Sequence, residues 1–223
     1  ATDRSRRLDA GDEAPGFIMD ELEPGFQIEQ IIGIWVAGQS SIQTDPGLAY
    51  YLPVGSDLVA RIHYKKTWLD EGLRIEDRTA VGMYFSEASD LTPIKSLAVG
   101  VSGATDTTSG MFVNYDQMIN ESIELLSLIP EIDSSPLFVQ LEAILPTGER
   151  TPIVRLAQPR PAWRTRHWLK EPIQLPAGTR LNVSAIYPSI FAAENMSSLR
   201  FNMDVVPETQ FNLVQNNHVL AAR

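Results

Sequence analysis

"LPAGTRLNVSAIY" (residues 175–187) decides how the rest of the chain reads. Pro176 and Gly178, one residue apart, suit a tight turn whose glycine needs a positive φ. The hydroxyl of Thr179 ties that turn down, and a β-branched run then enters a core and ends on Tyr187. The same pattern occurs upstream in "LPVGSDLVARIHY" (52–64): Leu-Pro-x-Gly, a hydroxyl residue, one more residue, Leu, and a strand ending in Tyr64. Two such units, each near the C-terminal part of its half, predict two related β-sandwich domains. The boundary is expected at or just before the Gly/Ser/Thr-rich span "VSGATDTTSG" (101–110), which divides the chain into 1–92 and 93–223.

Strand signals dominate on either side of those turns. "DLVARIHY" (57–64), "AVGMYF" (80–85), "FVQLEAIL" (138–145), "PIVRL" (152–156), "RLNVSAIY" (180–187) and "LRFNMDVV" (199–206) are short and rich in β-branched or aromatic residues. A third Pro-x-Gly turn, "PTGER" (146–150), separates two of them. The run "YDQMINESIELLSLI" (115–129) has an amphipathic look, and its reading here is an approach loop running into a strand. The fold class is all-β.

Bulk composition narrows function by exclusion. A net charge of −10 on 223 residues opposes nucleic-acid or anionic-membrane binding, both of which need a basic surface. A 43% hydrophobic content is enough for a sizeable core. Cysteine is absent, which removes disulfides, thiolate metal sites and a cysteine nucleophile. No apolar run approaches the ~18 residues of a membrane span.

Three histidines, His63, His167 and His218, are present without any HxH, HxxxH or HH spacing, so no imidazole metal centre can be read from spacing. His63 reads as a structural or surface residue of a strand, His167 as an interface or surface residue, and His218 as tail. A GxSxG elbow, a Walker loop, GxGxxG and an EF-hand are all lacking. "PAWRTRHWLK" (161–170) interleaves aromatic and basic residues, a pattern that could stack on nucleic acid. Against the acidic whole, local packing or a subunit contact is the expected role. "SLIPEIDSSP" (127–136) places Glu131 and Asp133 one residue apart, either as a polar turn or as part of a site.

"YYLPVGSDLVARIHYKKTWLDEGLRIEDRTAVGMYFSE" (50–87) resembles the end of the first domain of the copper type II, ascorbate-dependent monooxygenases, the peptidylglycine α-hydroxylating and dopamine β-monooxygenase group. "RSRRLDAGDEAPGF" (4–17) and "GIWVAGQ" (33–39) look like the loop and the segment that precede it there. "ELLSLIPEIDSS" (124–135), "LEAILPTGERTPIVRL" (141–156) and "WRTRHWLKEPIQLPAGTRLNVSAIYPS" (163–189) are similar to the family's second domain, closest to its bacterial members. The resemblance covers nearly the whole chain. It implies two tandem jelly-roll-like antiparallel β-sandwich domains with a copper site in each.

Functional residues carry over only in part. His63 matches one ligand of the first copper site, whose His-His partners belong before the segment at 4–17, so the first domain is expected to be incomplete at its start. The second site uses a Pro-His-x-His motif and a later Met. Here "PEID" puts Glu131 and Asp133 at the histidine positions, and Met196 or Met203 at the methionine position. Imidazole suits copper cycling, whereas paired carboxylates are hard oxygen donors suited to Ca²⁺ or Mg²⁺.

Glu131 and Asp133 admit three readings: an acidic turn left after metal loss, a hard-cation site, or surviving copper. The first leads to a catalytically degenerate scaffold without cofactor or catalytic residues. It would be an accessory subunit of a periplasmic or cell-surface bacterial complex, with other protein subunits, a cytochrome c among them, as partners. The alternatives are a copper- and ascorbate-dependent hydroxylase completed by an upstream segment, and a calcium-stabilised binding module.

Overall fold

A computed structural model of the chain describes residues 2–11, 16–17, 30–41, 43–64, 66–76, 78–87, 90–102, 108–109, 111–132, 134–160, 164–190, 193 and 198–208. The chain divides into two compact units, one made of 1–27 and 52–89, the other of 28–51 and 90–223.

The second unit is built from strands β1 (Leu48–Tyr50), β2 (Thr92–Ser102), β3 (Thr108–Ser109), β4 (Phe112–Met118), β5 (Ile123–Ile132), β6 (Phe138–Ile144), β7 (Arg150–Ala157), β8 (His167–Leu175), β9 (Arg180–Ile186) and β10 (Ser198–Pro207). They form two five-stranded sheets, ordered β1-β2-β10-β5-β8 and β3-β4-β9-β6-β7. Setting aside short β1 and β3, the eight long strands run 1-8-3-6 in one sheet and 2-7-4-5 in the other. That is jelly-roll order, so the all-β, jelly-roll-like expectation holds. All ladders are antiparallel except β1 on β2.

Alternation explains the core. In β9, Leu181, Val183 and Ala185 face inward, and in β10 Leu199, Phe201, Met203 and Val205 do the same. They meet Val99 of β2, Leu125 and Leu128 of β5, Val113 of β4, and Val139 and Leu141 of β6. Each fully buried large side chain among them contributes about 1.5–3 kcal/mol relative to exposure. Pro130 interrupts β5 beyond Leu128, the last residue that pairs with β8, and there a missing donor is tolerated. The outer edge of β8 carries Lys170, Glu171 and Pro172, and β7 carries Pro152, devices that discourage edge-to-edge pairing.

The repeated turn is real in both copies. Ser56 N–H donates to Pro53 O at 3.1 Å and Thr179 N–H to Pro176 O at 3.1 Å, with Gly55 at φ 83° and Gly178 at φ 84°. Gly148 in the third turn also has a positive φ, 88°. The segments downstream of the two copies differ. Residues 180–186 form β9 between β4 and β6, whereas 57–64 and 80–85, expected as strands, pair in no ladder among the described residues. Leu58, Ile62 and Tyr64 stay 51%, 45% and 67% exposed, while Leu181, Val183 and Tyr187 are buried. The pattern suits a strand, but a strand needs neighbours.

Two further details depart from the sequence reading. Thr2–Ala10 forms a helix, α1, in place of a loop; its Arg6 pairs with Asp57 at 2.8 Å. The 115–129 run ends β4, turns, and starts β5. Among the described residues no helix is long and apolar enough to cross a membrane.

Gly100 of β2 lies at φ 129°, and a Cβ there would sit 2.2 Å from Leu199 O and 2.7 Å from the Arg200 Cα. Backbone cannot yield as a side-chain tip can. Gly100→Ala should therefore lower stability by about 3 kcal/mol or more. Gly178→Ala, whose nearest neighbour would be the Pro146 Cγ at 3.5 Å, should cost only about 1 kcal/mol. Urea denaturation midpoints of the two variants check the contrast.

Candidate functional site

Glu131 is at the end of β5, directly opposite Arg200 of β10. Ile132 and Leu199 face the core, so the Glu131 and Arg200 side chains share the outer face of the first sheet. The Arg200 Nε donates to Glu131 Oε2 at 2.8 Å, and its Nη2 donates to the same oxygen. The carboxylate is thus already engaged by a cation of the neighbouring strand, in a charge-assisted contact.

Met203 lies three residues along β10 from Arg200 and points the other way, into the core, where it is fully buried. Its strand partners are Leu97 and Leu128. Glu131 and the Met203 thioether therefore sit on opposite faces of one sheet. His63 is exposed in the first unit and lies in no strand. Asp133 and Met196 lie outside the described residues. Of the positions that the resemblance maps onto the second metal site, the described ones, Glu131 and Met203, are not brought together. Among the described residues no group of three or more His, Asp or Glu converges as a metal would require.

A second polar constellation went unread in the sequence. Arg166 and Asp204 are buried against the outer face of the first sheet, their side chains 1% and 4% exposed. The Arg166 Nε is 2.8 Å from Asp204 Oδ2 without making a directed hydrogen bond, so the attraction at that atom is Coulombic. Ser127 of β5, opposite Asp204 in the ladder, donates its hydroxyl to the same oxygen. The Tyr50 hydroxyl donates to it at 3.2 Å.

The remaining Arg166 nitrogens turn away from the sheet: Nη1 donates to Ile32 O at 3.3 Å and Nη2 to Ile31 O. The guanidinium also lies 5.3 Å from the Tyr50 ring centre and 5.7 Å from that of Trp168. Burial, reinforced by the Asp204 charge and partly offset by Arg166, pushes the Tyr50 phenol well above its ordinary range, so it stays a proton donor. Within residues 164–170, Arg166 is spent inside the molecule, and His167 lies exposed at the start of β8.

The outer face of the second sheet is mixed: Phe112, Met118 and Ile186 lie exposed on it, beside polar residues that pair with one another. Asn182 of β9 donates to Asn114 at 2.8 Å and to Asp116 at 2.7 Å, and Glu142 of β6 pairs with Arg150. A hollow of about 250 Å³ near the start of β6, lined by Ser135, Leu137, Gln158 and Arg160 among others, holds no histidine or carboxylate. It contains no nucleophile–base pair.

Comparison with known proteins adds little. No family model matches the chain, and no curated protein matches it. Among solved structures, a cycloisomaltooligosaccharide glucanotransferase from Paenibacillus sp., complexed with cycloisomaltoheptaose, aligns with a TM-score of 0.20 and 14% identity. The alignment covers 52% of this chain and 17% of that one. At that level it carries no inference.

Glu124 of β5 is a buried carboxylate in a different setting. Burial pushes its pKa up, and the amide of Gln174, donating at 2.9 Å, only partly offsets this. A carboxyl whose folded pKa exceeds its unfolded one binds protons more tightly when folded, so its burden on stability is present at neutral pH and disappears as pH falls below the unfolded value. Glu124→Gln keeps an acceptor for Gln174 and should raise the Tm by about 1–3 °C at pH 7. Near pH 3.5 the gain should vanish. Thermal melts of both proteins across that range check the sign.

Proposed function

We propose that this chain is a copper-monooxygenase-like β-sandwich protein acting without catalysis, as a structural or accessory subunit of an exported bacterial assembly at the periplasm or cell surface. The observation that carries the proposal is the Glu131–Arg200 pair, seen against the inward-facing Met203. A copper centre at this strand end needs nitrogen and thioether donors converging on one face. Here one position holds a carboxylate already neutralised by an arginine, and the described methionine is sealed on the opposite face. These residues do not fit copper. Arg200 likewise supplies the counter-charge that a hard cation would otherwise give Glu131.

The surface of the first unit supports a protein partner. Val54 and Tyr84 are fully exposed, and Trp68 and Phe85 are 81% and 74% exposed, alongside Leu69, Leu73 and Val81. Large apolar side chains left this open to solvent favour a partner that covers them. Protein subunits are the partner class this fits, and a cytochrome c, in keeping with the bacterial relatives implied by the resemblance, is a specific candidate.

Metal analysis of the purified protein, together with melting in chelator, in added Ca²⁺ and in added copper, tests the proposal. Sub-stoichiometric metal and a Tm constant within about 1 °C are expected, since a ligand bound only by the folded state would raise it. Stoichiometric copper with oxygen-dependent turnover would establish the hydroxylase instead. A calcium-dependent Tm abolished by Glu131→Ala would establish the calcium module.

A further inference from the structure

We infer that residues 30–41 and 43–50 form a strap latched onto the outer face of the first sheet by the Arg166–Asp204 pair, able to come free as a unit while the jelly roll stays folded. The inference does not depend on the accessory function proposed above. It rests on a division of labour among contacts. The main core draws on β2, β4, β5, β6, β8, β9 and β10 and includes no residue of the strap. All eight long strands complete the jelly roll without β1.

The strap makes its own, smaller set of contacts. Leu48 and Tyr50 pack on Ile94, Leu126 and Val206, a cluster separate from the main core. Gln30 donates to Ile94 O at 2.9 Å and Gln39 to Thr165 Oγ1 at 3.0 Å. β1 adds three parallel residues to β2, a pairing too short to persist alone. Arg166 is the hub. It reaches the carbonyls of Ile31 and Ile32, lies beside the Tyr50 ring, and is itself held by Asp204 from the central strand of the sheet. Tyr50 closes the circuit by donating to the same carboxylate. Both ends of the strap therefore depend on one buried pair.

Segments held by few apolar contacts open before the rest of a fold, and removing their anchor speeds that opening selectively. Release would bare the apolar patch at Ile94, Leu126 and Val206, turning a covered sheet face into an available one.

Hydrogen exchange on the full chain, read by mass spectrometry, tests the latch in the double variant Arg166→Met/Asp204→Leu and in Asp204→Asn. The double variant leaves no orphaned charge, so the sandwich should survive it even if Asp204→Asn does not fold. Peptides covering the amides of Gln39, Leu48 and β1 should exchange at least about tenfold faster in the double variant, with β6 and β9 unchanged. Unchanged exchange in the strap would overturn the inference. So would equal acceleration in β6 and β9, because the pair would then belong to the sandwich itself.

Discussion

The two-sidedness of β10 is the constraint on which the rest of the second unit depends. Leu199, Phe201, Met203 and Val205 face the core, while Arg200 and Asp204 face outward, where each meets a specific partner. Because side chains alternate, a slip of one residue would drive a guanidinium and a carboxylate into the apolar centre. Register is further pinned by the bulge at Asp204 and Val205, after which Val206 joins the outer cluster with Ile94 and Leu126. Gly100 then lets the β2 backbone approach β10 closely beside Arg200. One strand thus fixes the core, the ion pair at Glu131 and the anchor for residues 30–41 and 43–50.

The Arg166–Asp204 pair illustrates why a buried charge is kept. Desolvating both ions is costly, and an apolar replacement of similar volume often serves stability as well or better. What the apolar replacement lacks is direction. A guanidinium has donors on several sides, so one group can face Asp204 with one edge and two backbone carbonyls with another. That geometry holds Ile31 and Ile32 at one location over the sheet, which a greasy contact would leave free to slide. Tyr50 and Trp168 flank the charge with ring faces, adding attraction without competing for its hydrogen bonds.

The sequence carries the sandwich well where local and non-local demands agree. β6, β7, β9 and β10 lie close to the runs picked out by composition, and the Pro-x-Gly turns have the positive φ their chemistry requires. β2 and β8 escape such a reading because "TPIKSLAVGVS" and "HWLKEPIQL" contain Pro, Gly and charge that weaken the strand signal; their edge-guarding or close-packing roles appear only once neighbours are known. The opposite error arises at 57–64 and 80–85, where good strand composition finds no ladder among the described residues. Arg166 is legible as a basic residue among aromatics. Its partner Asp204 lies 38 positions away in a strand whose inward face dominates the pattern, so no local signal joins them.

Outward-facing and inward-facing positions of these strands tolerate change on different terms. Glu131 lies on the outer face, so its side chain takes no part in the core, and Arg200 lies directly across the ladder to neutralise its charge. Met203 is the reverse case. Its side chain is part of the packing between the sheets, so its volume serves the core whatever chemistry its sulfur could offer. Packing between the sheets and pairing on the outer face therefore constrain alternate residues of the same strands. An outward residue of this jelly roll can change without disturbing the alternation that holds the two sheets together.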